Sequence, residues 1–147
     1  TAMQATVKWL DGAMFVGESG SGHAVVMDGP ADLGGRNHAV RPMEMLLLGT
    51  GGCAIYDVLS MLKKGRQDVT DCRVELQAQR ADDVPAVFTR INLHFIVTGR
   101  SLKESQVHRA VELSAEKYCS ASIMLGAAGV EISHSVEILE ADSAQTQ

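Results

Sequence analysis

"RPMEMLLLGTGGCAIYDVLSMLKKG", residues 41–65, is the most apolar segment of the 147-residue chain, yet it holds Gly49, Thr50, Gly51, Gly52 and Cys53 at its centre. Pro42 suits the first turn of a helix, where its missing N–H costs nothing. Gly65 suits a C-cap, and Lys63 and Lys64 put positive charge at the negative end of the helix. About 21 residues make a helix of roughly 31 Å. Its apolar side chains (Met43, Met45, Leu46, Leu47, Leu48, Ala54, Ile55, Tyr56, Val58, Leu59, Met61 and Leu62) leave almost no polar face. Such a helix is expected to be buried on all sides or to lie in a bilayer. Glu44 and Asp57 argue against the bilayer, since one Asp near its centre costs ~2.5–3.5 kcal/mol. A phosphate loop is excluded as well, because the glycines follow a helical run and no Gly-Lys-Ser/Thr closes them. A wrapped helix remains, with Gly49, Gly51 and Gly52 letting another helix approach closely. Each interior Gly costs about 0.8–1.0 kcal/mol relative to Ala. A chain this short struggles to wrap the helix alone, which points to a dimer.

Upstream, the pattern is of strands. Ala5, Val7 and Trp9 alternate with Thr6 and Lys8, and Asp11-Gly12 marks a hairpin turn into 13–18. "SGSG" (19–22) turns again into "HAVVM" (23–27), and 28–40 is a loop. Downstream, Val74, Leu76 and Ala78 alternate with polar neighbours, as do Ile91, Leu93, Phe95 and Val97, predicting two half-buried strands. Ser101 with Glu104 forms a capping box for a helix whose inner face is Val107, Ala110, Val111, Ser114 and Tyr118. That helix is expected to run past Cys119 towards Gly126. Residues 130–138 are a last strand with Ile132, Val136 and Ile138 inward. The order is three strands, helix, two strands, helix, strand: an α+β fold with mainly antiparallel sheet. One domain over 3–140 is expected, with Thr1 and Ala2 as a cloning remnant and 141–147 as a flexible tail.

A net charge of -5, scattered Lys and Arg, and only 4% aromatic residues exclude a nucleic-acid interface. With 46% apolar and 21% charged residues the chain reads as soluble and globular. Three cysteines without a secretory segment suggest a reducing cytoplasm, where a disulfide is transient and catalytic rather than structural.

Cysteine chemistry is the main candidate. Cys72 shares the phase of Val74, Leu76 and Ala78 and is read as core. Cys53 and Cys119, each placed on a helix and 66 residues apart, fit a core role or thiol chemistry. Thr50 and Asp57 share the Cys53 face at i−3 and i+4. The Thr50 hydroxyl could hydrogen-bond a thiolate. An ionised Asp57 would raise the thiol's pKa, so a cation is needed, with Arg41, Arg36 and Lys117 as candidates. Glu44 stabilises the helix N-terminus. His134, in phase with Ile132 and Val136, is read as a hydrogen-bonded core residue, and His94 as outward-facing. No Cys/His spacing matches a zinc site, and "GGCAI" is no nucleophile elbow.

"RPMEMLLLGTGGC" resembles the Pro-x-Glu-Leu-Leu-x-Ala-Ala-x-x-x-Cys segment of the OsmC/Ohr superfamily, and "AEKYCSASIML" resembles its second cysteine segment; the YhfA-like branch is the nearest in look. The resemblance spans nearly the whole chain. It implies an intertwined homodimer whose mainly antiparallel sheets wrap central helices. It also implies reduction of organic hydroperoxides, in oxidative-stress defence, through a Cys53 sulfenic acid and a Cys53–Cys119 disulfide. An external dithiol such as dihydrolipoamide is the implied reductant, with no metal, haem or flavin. Glu44, Thr50 and Arg41 are the positions for orienting or activating the thiol. The Ohr Arg after the first hairpin glycine is replaced by Ala13 and Met14, and the third-strand Arg of OsmC by Val25, Val26 and Met27. Met43 stands where Ohr has its Glu, and Ser120 where Pro commonly follows the second cysteine. A thiolate without a cation reacts less. Two other readings are carried: a non-catalytic protein with an apolar ligand pocket at the dimer interface, and a Cys-dependent hydrolase.

Overall fold

The computed structural model describes residues 1–142; the tail expected over 141–147 lies, from residue 143 on, outside the described residues. Two compact units divide the chain, Thr1–Leu48 and the residues from Gly49 on. The first contains an antiparallel sheet of β1 (Ala5–Asp11), β2 (Met14–Ser19) and β3 (Ala24–Met27), in the order β1-β2-β3. Gly12, at φ 56, supplies the left-handed turn that the β1–β2 hairpin requires. The alternation in β1 does not bury a face: both sides are exposed in the single chain, with Val7 at 61% and Trp9 at 70%. In the following loop the buried Asp28 carboxylate accepts the backbone N–H groups of Gly29, Arg36 and His38. Burial pushes its pKa up, but these three amides outweigh that and hold it below the ordinary value.

Helix α1 (Pro42–Lys64) begins in the first unit and continues into the second. Pro42 occupies its first position, and Glu44 Oε1 accepts the Arg41 amide at 2.8 Å, which is the backward half of a capping box. At the other end Gln67 N bonds Leu62 O and Arg66 N bonds Lys63 O, a Schellman closure. The left-handed residue there is Arg66, at φ 58, rather than Gly65.

The second unit carries the larger sheet, β4 (Asp68–Arg80), β5 (Phe88–Arg100) and β6 (Glu131–Glu140), in the order β4-β5-β6. β4 and β5 pair antiparallel, whereas β5 and β6 pair parallel. A parallel pair needs a crossover, here α2 (Glu104–Leu113), a five-residue π-turn (Ser114–Tyr118) and α3 (Ser120–Ala127). Register puts one residue of each strand on a shared apolar face: Cys72, Val97 and Ile138; Val74, Phe95 and Val136; Leu76, Leu93 and His134; Ala78, Ile91 and Ile132. Ile91, Leu93, Phe95 and Val97 are completely buried.

α1 packs on this face along one stripe, Thr50, Gly51, Ala54, Val58 and Leu62. The close approach that Gly51 permits is to a strand and not to a helix. A Cβ there would lie 2.7 Å from Leu76 Cδ1 and 3.4 Å from Val74 Cγ1. Gly49 and Gly52 face open space. Full wrapping of α1 is not achieved in the single chain, where Leu48 is 60% and Tyr56 76% exposed. By length and composition α1 could cross a membrane, but its Thr50–Leu62 stripe is buried inside the chain.

Two sequence expectations are corrected in the crossover. Lys103, not Ser101, is the N-cap of α2, and no side chain caps it; Ser101 is a left-handed residue at φ 51. The helix also does not run through Cys119. It ends in the π-turn, and Cys119 sits at the break with extended backbone (φ -75, ψ 95) before α3 begins.

Candidate functional site

The break brings the chemistry together. Cys53 is on α1 one residue before the buried Ala54, so it lies at the edge of the packed stripe and is partly exposed. Asp57 follows one helical turn later on the same face, as the i+4 spacing dictates. The π-turn lets Cys119 N bond back to Ser114 O at 2.8 Å and turns the Cys119 side chain into the protein, where it is completely buried. π-turns recur at functional sites because the extra residue re-aims a side chain. As a result Cys53 Sγ, Cys119 Sγ and an Asp57 carboxylate oxygen all lie within 4.8 Å of one another.

The surroundings hold these groups in place. Cys119 Sγ points at Thr50 O, 4.0 Å away. Ser114, fully buried, places its Oγ 3.4 Å from both Asp57 Oδ2 and Ala54 O. Ser122 Oγ donates to Cys119 O at 3.4 Å. Burial pushes the Cys119 thiol above its ordinary pKa; Ser122 pulls it down in part, and the neighbouring Cys53 pushes it further up. Cys119 is therefore held as a neutral thiol.

Glu44 and the Arg41 amide cap the start of α1. Arg36 is ion-paired with Asp11 at 2.8 Å, and Lys117 lies over the Tyr118 ring, 5.4 Å from its centroid. Thr50 is buried, with its backbone oxygen towards Cys119 Sγ. Cys72 shares the core face of β4 as its phase indicates; burial, helped by Asp71, pushes its thiol up to about 11. The expected hydrogen-bonded core histidine is corrected. His134 Nε2 is buried without a partner among the described residues, its ring stacks on Phe95 at 6.3 Å, and burial lowers its pKa. His94 faces away from the core and meets Ser135 Oγ at 2.7 Å.

A cavity of about 400 Å³ is lined by Tyr56, Asp57, Ser60, Met61, Lys64, Leu113 and Tyr118. Two aromatic rings and a lysine share its wall with Asp57. Tyr118 belongs to this wall, 48% exposed, and not to the core face of α2 where its phase had put it. The cavity and the Ser114–Asp57 contact were not visible in the sequence. The one available signal was a serine at an apolar-phase position.

A family model described as OsmC-like protein matches residues 35–135. Protein YhfA of Escherichia coli K12 is 55% identical over 139 residues, covering 95% of this chain and all of the relative. Two solved structures share the fold. A hypothetical protein from Aquifex aeolicus VF5 superposes with TM-score 0.84 at 26% identity, over 97% of this chain and 99% of its own. An organic hydroperoxide resistance protein OsmC from Legionella pneumophila, described also as a predicted redox protein, superposes with TM-score 0.71 at 19% identity, over 93% of this chain and 97% of its own.

Proposed function

Because the chain belongs to the OsmC-like protein family, we propose that it is a thiol-dependent peroxidase that reduces organic hydroperoxides, with Cys53 as nucleophile and Cys119 as resolving thiol. The observation that carries this reading is the juxtaposition of two sulfurs 66 residues apart in sequence, one partly exposed and one buried. The Cys53 thiolate attacks the outer oxygen of the hydroperoxide, the O–O bond breaks, and the alkoxide leaves as the alcohol after taking a proton. Cys53 is now a sulfenic acid. The Cys119 thiol attacks its sulfur, the S–O bond breaks, and water leaves with the Cys119 proton. Closing the sulfurs to about 2.05 Å needs a shift of the kind a χ1 change provides. An external dithiol such as dihydrolipoamide restores both thiols by exchange.

Burial suits Cys119 to this role. It keeps the resolving thiol protonated and away from peroxide until its partner is oxidised. The cavity beside Asp57 suits an apolar substrate tail. A second copy of the chain covering the exposed face of α1 and β1 completes this proposal, as does a reducing cytoplasm that regenerates the thiols.

The same cavity supports a second reading, a non-catalytic protein that binds an apolar small molecule. The hydrolase reading has no such support: among the described residues, the donor group around Cys53 consists of Asp57 and Cys119, without a histidine.

Intact-protein mass spectrometry after stoichiometric cumene hydroperoxide tests the proposal. Wild type should lose about 2 Da, the two hydrogens of a disulfide, and Cys119→Ser should gain oxygen while Cys53→Ser does not. If all three proteins stay folded and reduced, the peroxidase reading is wrong and the binding reading replaces it.

A further inference from the structure

We propose that Cys53, Cys119 and Asp57 form a binding site for a thiophilic divalent cation, zinc in the first instance, which the peroxidase chemistry does not require. Three donor atoms of the right type converge within 4.8 Å: two sulfurs and a carboxylate oxygen. Tetrahedral zinc with Zn–S of about 2.3 Å holds two sulfurs about 3.8 Å apart, so the sulfurs need to close by no more than about 1 Å. The ligands come from two separate elements, with i, i+4 spacing on α1 and the third ligand at the break before α3.

A second, independent feature is the support behind Asp57. The fully buried Ser114 hydroxyl lies 3.4 Å from Asp57 Oδ2, the kind of outer contact that orients a ligating carboxylate. The donors are of the type zinc prefers, two sulfurs and one carboxylate oxygen. Zinc takes both sulfurs as thiolates, any thiol proton passes to solvent, and no electron moves. Three protein ligands leave a fourth position for water.

Zinc and the disulfide use the same sulfurs, so each excludes the other. A bound cation would withhold Cys53 from hydroperoxide until the cation is removed. The zinc measurement itself contains no peroxide, so this proposal and the peroxidase reading can fail separately.

The test is a zinc titration of the reduced, chelator-stripped full chain, in competition with a chromogenic chelator. Wild type and Cys72→Ser should each take up one zinc per chain. Cys53→Ser and Cys119→Ser should bind at least about 100-fold more weakly, and Asp57→Asn about 10-fold more weakly, at or above what even outer-shell losses cost. Circular dichroism reports whether each variant is folded. Cobalt(II) added to wild type should show thiolate-to-cobalt charge transfer, a readout that needs no variant. Absence of that band, failure of wild type to take up one equivalent, or undiminished binding in both folded Cys53→Ser and Cys119→Ser would each overturn the site.

Discussion

Cys72 offers the sharpest check on which thiols can react. Its pKa of about 11 comes first from burial on the core face of β4 and then from Asp71. At pH 8 a thiol of pKa 11 is about 0.1% thiolate, while an ordinary thiol near 8.5 is about a quarter thiolate. The ratio is roughly 240-fold. A more basic thiolate is the better nucleophile, and with a Brønsted slope of about 0.45 the difference of 2.5 units returns roughly 13-fold. The net expectation is alkylation about 20-fold slower than a free thiol, before any loss of access. The assay is a timed iodoacetamide pulse on reduced protein, quenched and read at the Cys72 peptide by mass spectrometry, from pH 7 to pH 10. The rate should climb about tenfold per pH unit without a plateau below pH 10, since the thiolate fraction does so below the pKa. Asp71→Asn should speed it, by removing the second cause of the shift. A plateau below pH 9, or a rate at pH 8 equal to that of a small free thiol, would refute the burial argument. It would also leave Cys72 as a competing nucleophile in any peroxide assay.

Three further expectations concern stability and association. Leu62→Ala deletes a side chain that is 1% exposed on the packed stripe of α1, and should cost about 2–5 kcal/mol by urea unfolding. Leu48→Asp, at a position 60% exposed in the single chain, should weaken the proposed dimer in sedimentation; a monomeric wild type, or an unchanged dimer in the variant, would show that this face is not an interface. The folded Asp28 carboxyl has a lowered pKa, so its contribution is complete above the unfolded value near 3.9 and is lost as pH falls through the folded value. Asp28→Asn should therefore flatten the acid limb of a urea-midpoint-versus-pH curve, and an unaltered limb would contradict that assignment.

The crossover between β5 and β6 explains what local pattern could and could not reveal. Its helical phase correctly placed Val107, Ala110, Val111 and Ser114 inside. The same phase, continued, put Tyr118 inside and Cys119 on an unbroken helix. The π-turn inserts one residue and shifts every later side chain round the axis. Nothing in "SAEKYCS" announces that insertion, because a π-turn has no strong residue signature of its own. The exposed faces of β1 and α1 follow similar logic. Apolar content predicted burial, whereas Val7, Trp9, Leu48 and Tyr56 are exposed in the single chain.

The sequence by itself determined the element order, the start of α1 at Pro42, the core phases of β4, β5 and β6, and the candidacy of Cys53 and Cys119. The first three rest on periodicity and terminal chemistry, which act over a few residues; the last rests on residue type and the family resemblance. Only the tertiary structure decided that β6 lies parallel to β5, that Gly51 admits the side chains of β4, and that Asp57 and Ser114 join the two sulfurs. Those facts depend on contacts between residues 23 to 69 positions apart. No local pattern encodes such pairings. They emerge when one apolar face, packed to solid density, permits a single arrangement of the elements that share it.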